Sequence, residues 1–175
     1  MARPEARGMA GPLDFPQKIQ LQTINRCNYT CPMCPYPETA AGTRTRQLDV
    51  ALLHRMVAEL RQEQRSVKLC LMLQNEPLLD KRFLEMLDHA HSAQEAIRSV
   101  STVTNGSILN EELLDRLMQY ERFFLTISVN ATDRERYRKV HGRDLWERVH
   151  GLLSGWKGPR HRLRRSAGAL SQRAE

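Results

Sequence analysis

No apolar run in this 175-residue sequence approaches the length of a membrane-crossing helix. The opening residues, MARPEARGMAGPLDFPQ, also lack the apolar segment of a secretory leader. The expected compartment is therefore the reducing cytoplasm, with no membrane partner, where clustered cysteines bind metal more often than they form disulfides. Aromatic residues are scarce, at 6% of the chain, and none is interleaved with the basic run at its end. Stacking on nucleic-acid bases is accordingly not expected. That run holds six basic residues from Lys157 onward against Glu175, which accounts for +5 of the net +7. It reads as a solvated, disordered tail. Cysteine is also rare, with four in the whole chain.

Three of those four fall within eight residues. The segment INRCNYTCPMCPYPE, residues 24–38, carries Cys27, Cys31 and Cys34. Crowded thiols in a loop are reactive and oxidisable, so the spacing asks for a chemical explanation. The rest of the composition, 41% hydrophobic and 27% charged, is that of a globular protein with room for one ordinary core.

Two periodicities alternate along the chain. Strands are predicted over Lys18–Ile24, where apolar and polar residues alternate, over the buried-looking run Ser66–Leu73, over Ile97–Thr104, closed by the turn pair Asn105-Gly106, and over Phe123–Asn130. Helical spacing is predicted over Leu48–Gln62, with Asp49 as cap, over Leu78–Ala93, over Asn110–Tyr120, and over Asp133 to about Leu153 with a break near His141-Gly142. Four strand–helix repeats imply an α/β fold with a parallel sheet and right-handed crossovers. In such folds ligands gather at the carboxyl ends of the strands. The polar motifs of this chain sit there: the cysteine loop after the first strand, QNEPL after the second, TNG after the third and SVN closing the fourth.

A loop can turn three thiolates toward one point. A structural zinc site would need four ligands, commonly as two close pairs, whereas this chain has a triplet. Cys70 lies within an apolar strand and reads as a small buried hydrophobe, and His54 falls inside the following helix. An iron–sulfur cluster with one iron left open to a substrate or cofactor fits three cysteines better, since such clusters are ordinarily held by four.

CNYTCPMC after the first strand of an α/β fold, followed in order by NEPLL, TNG and ISVN, resembles the radical S-adenosylmethionine (radical SAM) family. The resemblance implies that Cys27, Cys31 and Cys34 hold three irons of a 4Fe–4S cluster, and that the methionine half of S-adenosylmethionine chelates the fourth. Met33 stands where the family often has a bulky residue beside the adenine. Gln74, Asn75, Glu76 and Pro77 replace the family's usual Gly-Gly-Glu-Pro. Glu76 is expected to receive the cofactor's ammonium group, and Gln74 and Asn75 to line its approach. Thr104 or Asn105 would support its methionine end, and Ser128 and Asn130, on one side of the fourth strand, its ribose or carboxylate. The implied chemistry is reductive cleavage to a 5′-deoxyadenosyl radical that abstracts hydrogen from a peptide or small molecule. No side-chain general base is required. A flavodoxin or ferredoxin is the expected electron donor.

The family core usually has six strand–helix units, and four are legible here. The expectation is an incomplete partial (β/α) barrel over 18–153, the N-terminal part of a truncated core, with an extension at 1–17 and the basic tail at 154–175 offering no fifth strand. Two alternatives stand beside the active enzyme: a remnant that binds a cluster without turnover, and a non-enzymatic zinc-binding module.

Overall fold

The computed structural model describes residues 15–39, 44–159 and 162–166. Most of the expected N-terminal extension and half of the expected tail at 154–175 lie outside the described residues.

The elements run β1 (Lys18–Gln20), α1 (Tyr36–Thr39), α2 (Val50–Gln62), β2 (Val67–Cys70), a 3-10 turn (Pro77–Leu79) and α3 (Phe83–Ser92). There follow β3 (Ile97–Thr104), α4 (Glu111–Met118), β4 (Phe123–Ser128), α5 (Arg134–His141), α6 (Trp146–Gly155) and β5 (Leu163–Ser166). The strands form one sheet in sequence order, and each neighbouring pair is parallel. The sheet is the open, partial βα barrel expected, with one strand more than the sequence reading allowed. Leu163–Ser166 pairs with Leu125–Ser128, which corrects the statement that the basic segment supplies no strand.

Local chemistry sets the helix boundaries. Asp49 caps α2 by accepting from the Ala51 N–H at 3.0 Å. Asn110 caps α4 through the Leu113 N–H at 2.8 Å, and Asp133 caps α5 through the Arg136 N–H at 2.9 Å. Each side chain satisfies a backbone donor that the first helical turn would otherwise leave orphaned. Gly142 ends α5 at φ 67°, a left-handed conformation that costs glycine little. The helix expected from Leu78 begins later: Pro77 opens a short 3-10 turn capped by Glu76, and α3 starts only at Phe83.

The apolar faces of α2 (Leu53, Val57, Leu60) and α3 (Phe83, Met86, Leu87, Ala90) join a core with the sheet residues Leu69, Leu71, Ile97, Leu125 and Ile127. This burial fixes the strands rigidly and leaves their carboxyl ends, where the chain turns outward, free to build a site. Among the described residues, no helix is long and apolar enough to cross a membrane.

Candidate metal centre

β1 ends early because the chain leaves the sheet beyond Leu21 to enter the cysteine loop. The two ends of that loop are stapled together by a short antiparallel contact. Ile24 bridges Gln47, the Asn25 N–H donates to the Arg46 carbonyl at 3.0 Å, and the Leu48 N–H donates to the Thr23 carbonyl at 2.7 Å. A further backbone bond, Glu76 N–H to the Arg26 carbonyl at 2.9 Å, ties the loop to the end of β2. Within the loop, the Cys34 N–H turns back to the Cys31 carbonyl at 2.9 Å.

These ties open a cleft of about 290 Å³ at the carboxyl ends of β1 to β4. Cys27, Cys31 and Cys34 line it, as do all eight other residues singled out by sequence: Met33, Gln74, Asn75, Glu76, Thr104, Asn105, Ser128 and Asn130. Residues that are distant in sequence therefore meet at one place. Met33 is 59% exposed. Asn130 adopts φ 50°, which asparagine tolerates better than most side chains.

Several of these side chains are engaged within the protein. The Glu76 carboxylate is 1% exposed and accepts three hydrogen bonds: from Thr104 Oγ1 at 2.6 Å, from the Asn105 N–H at 2.7 Å and from the Leu78 N–H at 3.2 Å. It buckles the ends of β2 and β3 together beneath the cleft. Burial pushes its acidity toward a higher pKa, more than the three donors pull it down. Asn75 is the opposite case: among the described residues, its amide oxygen and nitrogen are both shielded from water and both without a partner. An unsatisfied buried amide in a cleft wall calls for a ligand.

Pattern reading missed part of the site. Tyr29 and His141 also line the cleft, and Asn28 braces it. The Tyr29 hydroxyl meets that of Tyr137 at 2.8 Å, and both residues are buried. His141 places Nε2 2.7 Å from the Val129 carbonyl. A carbonyl only accepts, so Nε2 carries the proton and the free Nδ1 lies 3.6 Å from Cys31 Sγ. Burial lowers the pKa of His141, in keeping with a neutral ring. The available signals were slight: Tyr29 is an aromatic residue in the middle of a polar loop, and His141 sits where a helix was expected to break.

Burial pushes the Cys31 thiol up to about 11, with Cys27 and Cys34 adding to the effect. Cys27 is raised for the same chief reason and partly pulled back by the Tyr29 N–H and the Asn105 amide. In the free site Cys27 and Cys31 are therefore held as neutral thiols, which release their protons when a cation binds. Among the described residues, no three His, Cys, Asp or Glu are gathered closely enough to hold a single metal ion. Cys70 is buried in β2 with Sγ 3.5 Å from the Met72 carbonyl, outside the cleft. A lone zinc ion wants its ligands in one tight tetrahedron. Three cysteines without a fourth protein ligand suit a cluster that keeps one iron open, and by its chemistry this donor set fits that group.

The family model described as the Radical SAM superfamily matches residues 21–153. A GTP 3′,8-cyclase from Chlorobaculum tepidum is 29% identical over 135 residues, 77% of this chain and 39% of that protein. Among solved structures, BtrN in complex with AdoMet and 2-DOIA superposes with a TM-score of 0.66 at 19% identity, covering 86% of this chain and 56% of its own. Streptococcus suis SuiB bound to the precursor peptide SuiA gives 0.63 at 16% identity, covering 87% and 33%. The chain thus spans well under two thirds of the length of these relatives.

Proposed function

The chain belongs to the radical SAM superfamily, and from that premise we propose that its cleft binds a 4Fe–4S cluster and S-adenosylmethionine as the core of a radical enzyme. The carrying observation is the convergence of three cysteines and eight polar or adaptable residues, from four strand ends, on one cleft. Cys27, Cys31 and Cys34 hold the cluster and leave one iron open. When bound, the pair supplies one-electron cleavage of the sulfonium to methionine and a hydrogen-abstracting 5′-deoxyadenosyl radical.

The protein's own part is positioning. Asn75, with an amide that has both a donor and an acceptor to offer, contacts the methionine end of S-adenosylmethionine, beside the backbone of Gln74. Glu76 holds the rim through Thr104 and Asn105, and the lone pair left on Oε2 serves the ammonium group. Met33 covers the adenine, and Ser128 and Asn130 meet the ribose. Tyr29, Tyr137 and His141 wall the cysteine side and keep water from it.

The substrate is a peptide or small molecule, and the electron donor is a flavodoxin or ferredoxin acting in the cytoplasm. The peptide bound to SuiB lends one precedent for the first. The test is anaerobic reconstitution with iron and sulfide, followed by electron paramagnetic resonance of the reduced protein before and after adding S-adenosylmethionine. A cluster signal that changes shape with the cofactor supports the reading. A colourless chain that retains stoichiometric zinc overturns it.

A further inference from the structure

Asn105 makes contacts that the motif alone does not suggest. Its Oδ1 accepts the Ser107 N–H at 2.9 Å. A backbone N–H only donates, so the amide has one orientation, and Nδ2 must face the other way. There it donates to Asn28 Oδ1 at 2.9 Å and points to Cys27 Sγ at 3.9 Å, within reach of sulfur's large radius. Asn28 is held in turn by donating Nδ2 to Ser107 Oγ at 2.8 Å. The Asn105 N–H is bound to Glu76 Oε2. Both amide hydrogens and the oxygen are thus committed within the protein. The residue is only 9% exposed, and it is pinned from three sides with one N–H on a cysteine sulfur.

We infer that Asn105 is a positioning residue that donates a hydrogen bond to the Cys27 sulfur and thereby sets the reduction potential of the cluster held there. The inference rests on the cluster assignment proposed above. A donor to a ligating sulfur stabilises the extra negative charge of the reduced cluster, so it raises the potential. The bracing by Asn28 and Ser107 makes the donor rigid, and a rigid donor loses nothing to reorganisation when the electron arrives.

The experiment is an anaerobic redox titration, followed by electron paramagnetic resonance, of the reconstituted full chain and of Asn105→Leu and Asn105→Asp. The aspartate keeps the acceptor for Ser107 and loses both N–H groups. Both variants are expected to have a more negative midpoint, by about tenfold in the oxidised-to-reduced ratio, which is about 59 mV for a one-electron couple. A purely structural role would lower cluster occupancy and leave the midpoint of the remaining clusters in place. An unchanged midpoint in the variants overturns the inference and leaves the cluster assignment standing. Failure of the wild-type chain to hold any cluster overturns both.

Should neither variant retain a cluster, the wild type decides through pulsed resonance with asparagine labelled by ¹⁵N at the side chain. A side-chain nitrogen coupling that persists in Asn75→Leu and in Asn130→Gly supports the bond, because those residues share the cleft and the Asn28 nitrogen is turned away toward Ser107. Its absence overturns the inference.

Discussion

Replacing Glu76 by glutamine changes one atom of a side chain that is 1% exposed. If the remaining oxygen keeps the Thr104 hydroxyl and the Leu78 N–H, the new amide nitrogen stands at the position that now accepts the Asn105 N–H at 2.7 Å. Two donors then face each other. The loss of a hydrogen bond to a charged acceptor costs about 1.5–3 kcal/mol, and an orphaned buried donor costs about 1–3 kcal/mol. Part of this is returned, because a buried carboxylate no longer has to be desolvated, the same effect that pushes the Glu76 pKa up. A net loss of about 2–3 kcal/mol is expected for Glu76→Gln. Glu76→Ala orphans three donors instead of one and should lose about 4 kcal/mol or more. The assay is anaerobic urea unfolding of the metal-free chain at neutral pH, comparing midpoints at constant m-value. If Glu76→Gln lowers stability by less than about 0.5 kcal/mol, the carboxylate is not the buckle between β2 and β3.

Gly142→Ala is expected to lose about 2–3 kcal/mol in the same assay, since φ 67° costs an L residue about 1–2 kcal/mol and the new Cβ would come 2.9 Å from the Thr30 carbonyl oxygen. Gly151→Ala, in α6 with nothing within 4 Å, should gain about 0.5–1 kcal/mol and serves as control. Burial lowers the pKa of His141, so its contribution is present above the ordinary value of about 6.5 and is lost as pH falls through the window down to its folded value. The slope there is at most about 1.4 kcal/mol per pH unit, and it should be absent from His141→Gln in unfolding measured from pH 7.5 to 5. Asn75→Leu removes an unpartnered buried amide and should stabilise the free chain by about 1 kcal/mol. It should also weaken S-adenosylmethionine binding about tenfold or more by calorimetry on the cluster-loaded chain; a destabilised variant with unchanged affinity would contradict the role given to Asn75.

The alternation of periods two and 3.6 was enough to place strands and helices, because burial of one face is a local property of the sequence. The boundaries were less legible. The alternation of KIQLQTI runs on to Ile24, but beyond Leu21, whose N–H still reaches the Cys70 carbonyl of β2 at 2.9 Å, the residues serve the loop closure with Gln47 and not the sheet. Leu163–Ser166 escaped notice because one leucine among arginines carries no apolar signal. Its pairing is made by backbone groups along β4. Within the site, the motif residues were legible because they carry chemistry in short stretches. The Tyr29–Tyr137 and Cys31–His141 contacts join residues more than a hundred positions apart, and only the packing of α5 against the cysteine loop brings them together. What Glu76 and Asn105 do with their hydrogen bonds was equally invisible, since a motif names a residue and not its partners.

The most direct test of the central claim is the formation of 5′-deoxyadenosine. The chain would be reconstituted anaerobically with iron and sulfide, reduced, mixed with S-adenosylmethionine and assayed by chromatography, with Cys31→Ala alongside. The account predicts product from the wild type and none above background from the variant. A wild-type protein that carries the cluster, binds the cofactor and still yields no product would contradict it.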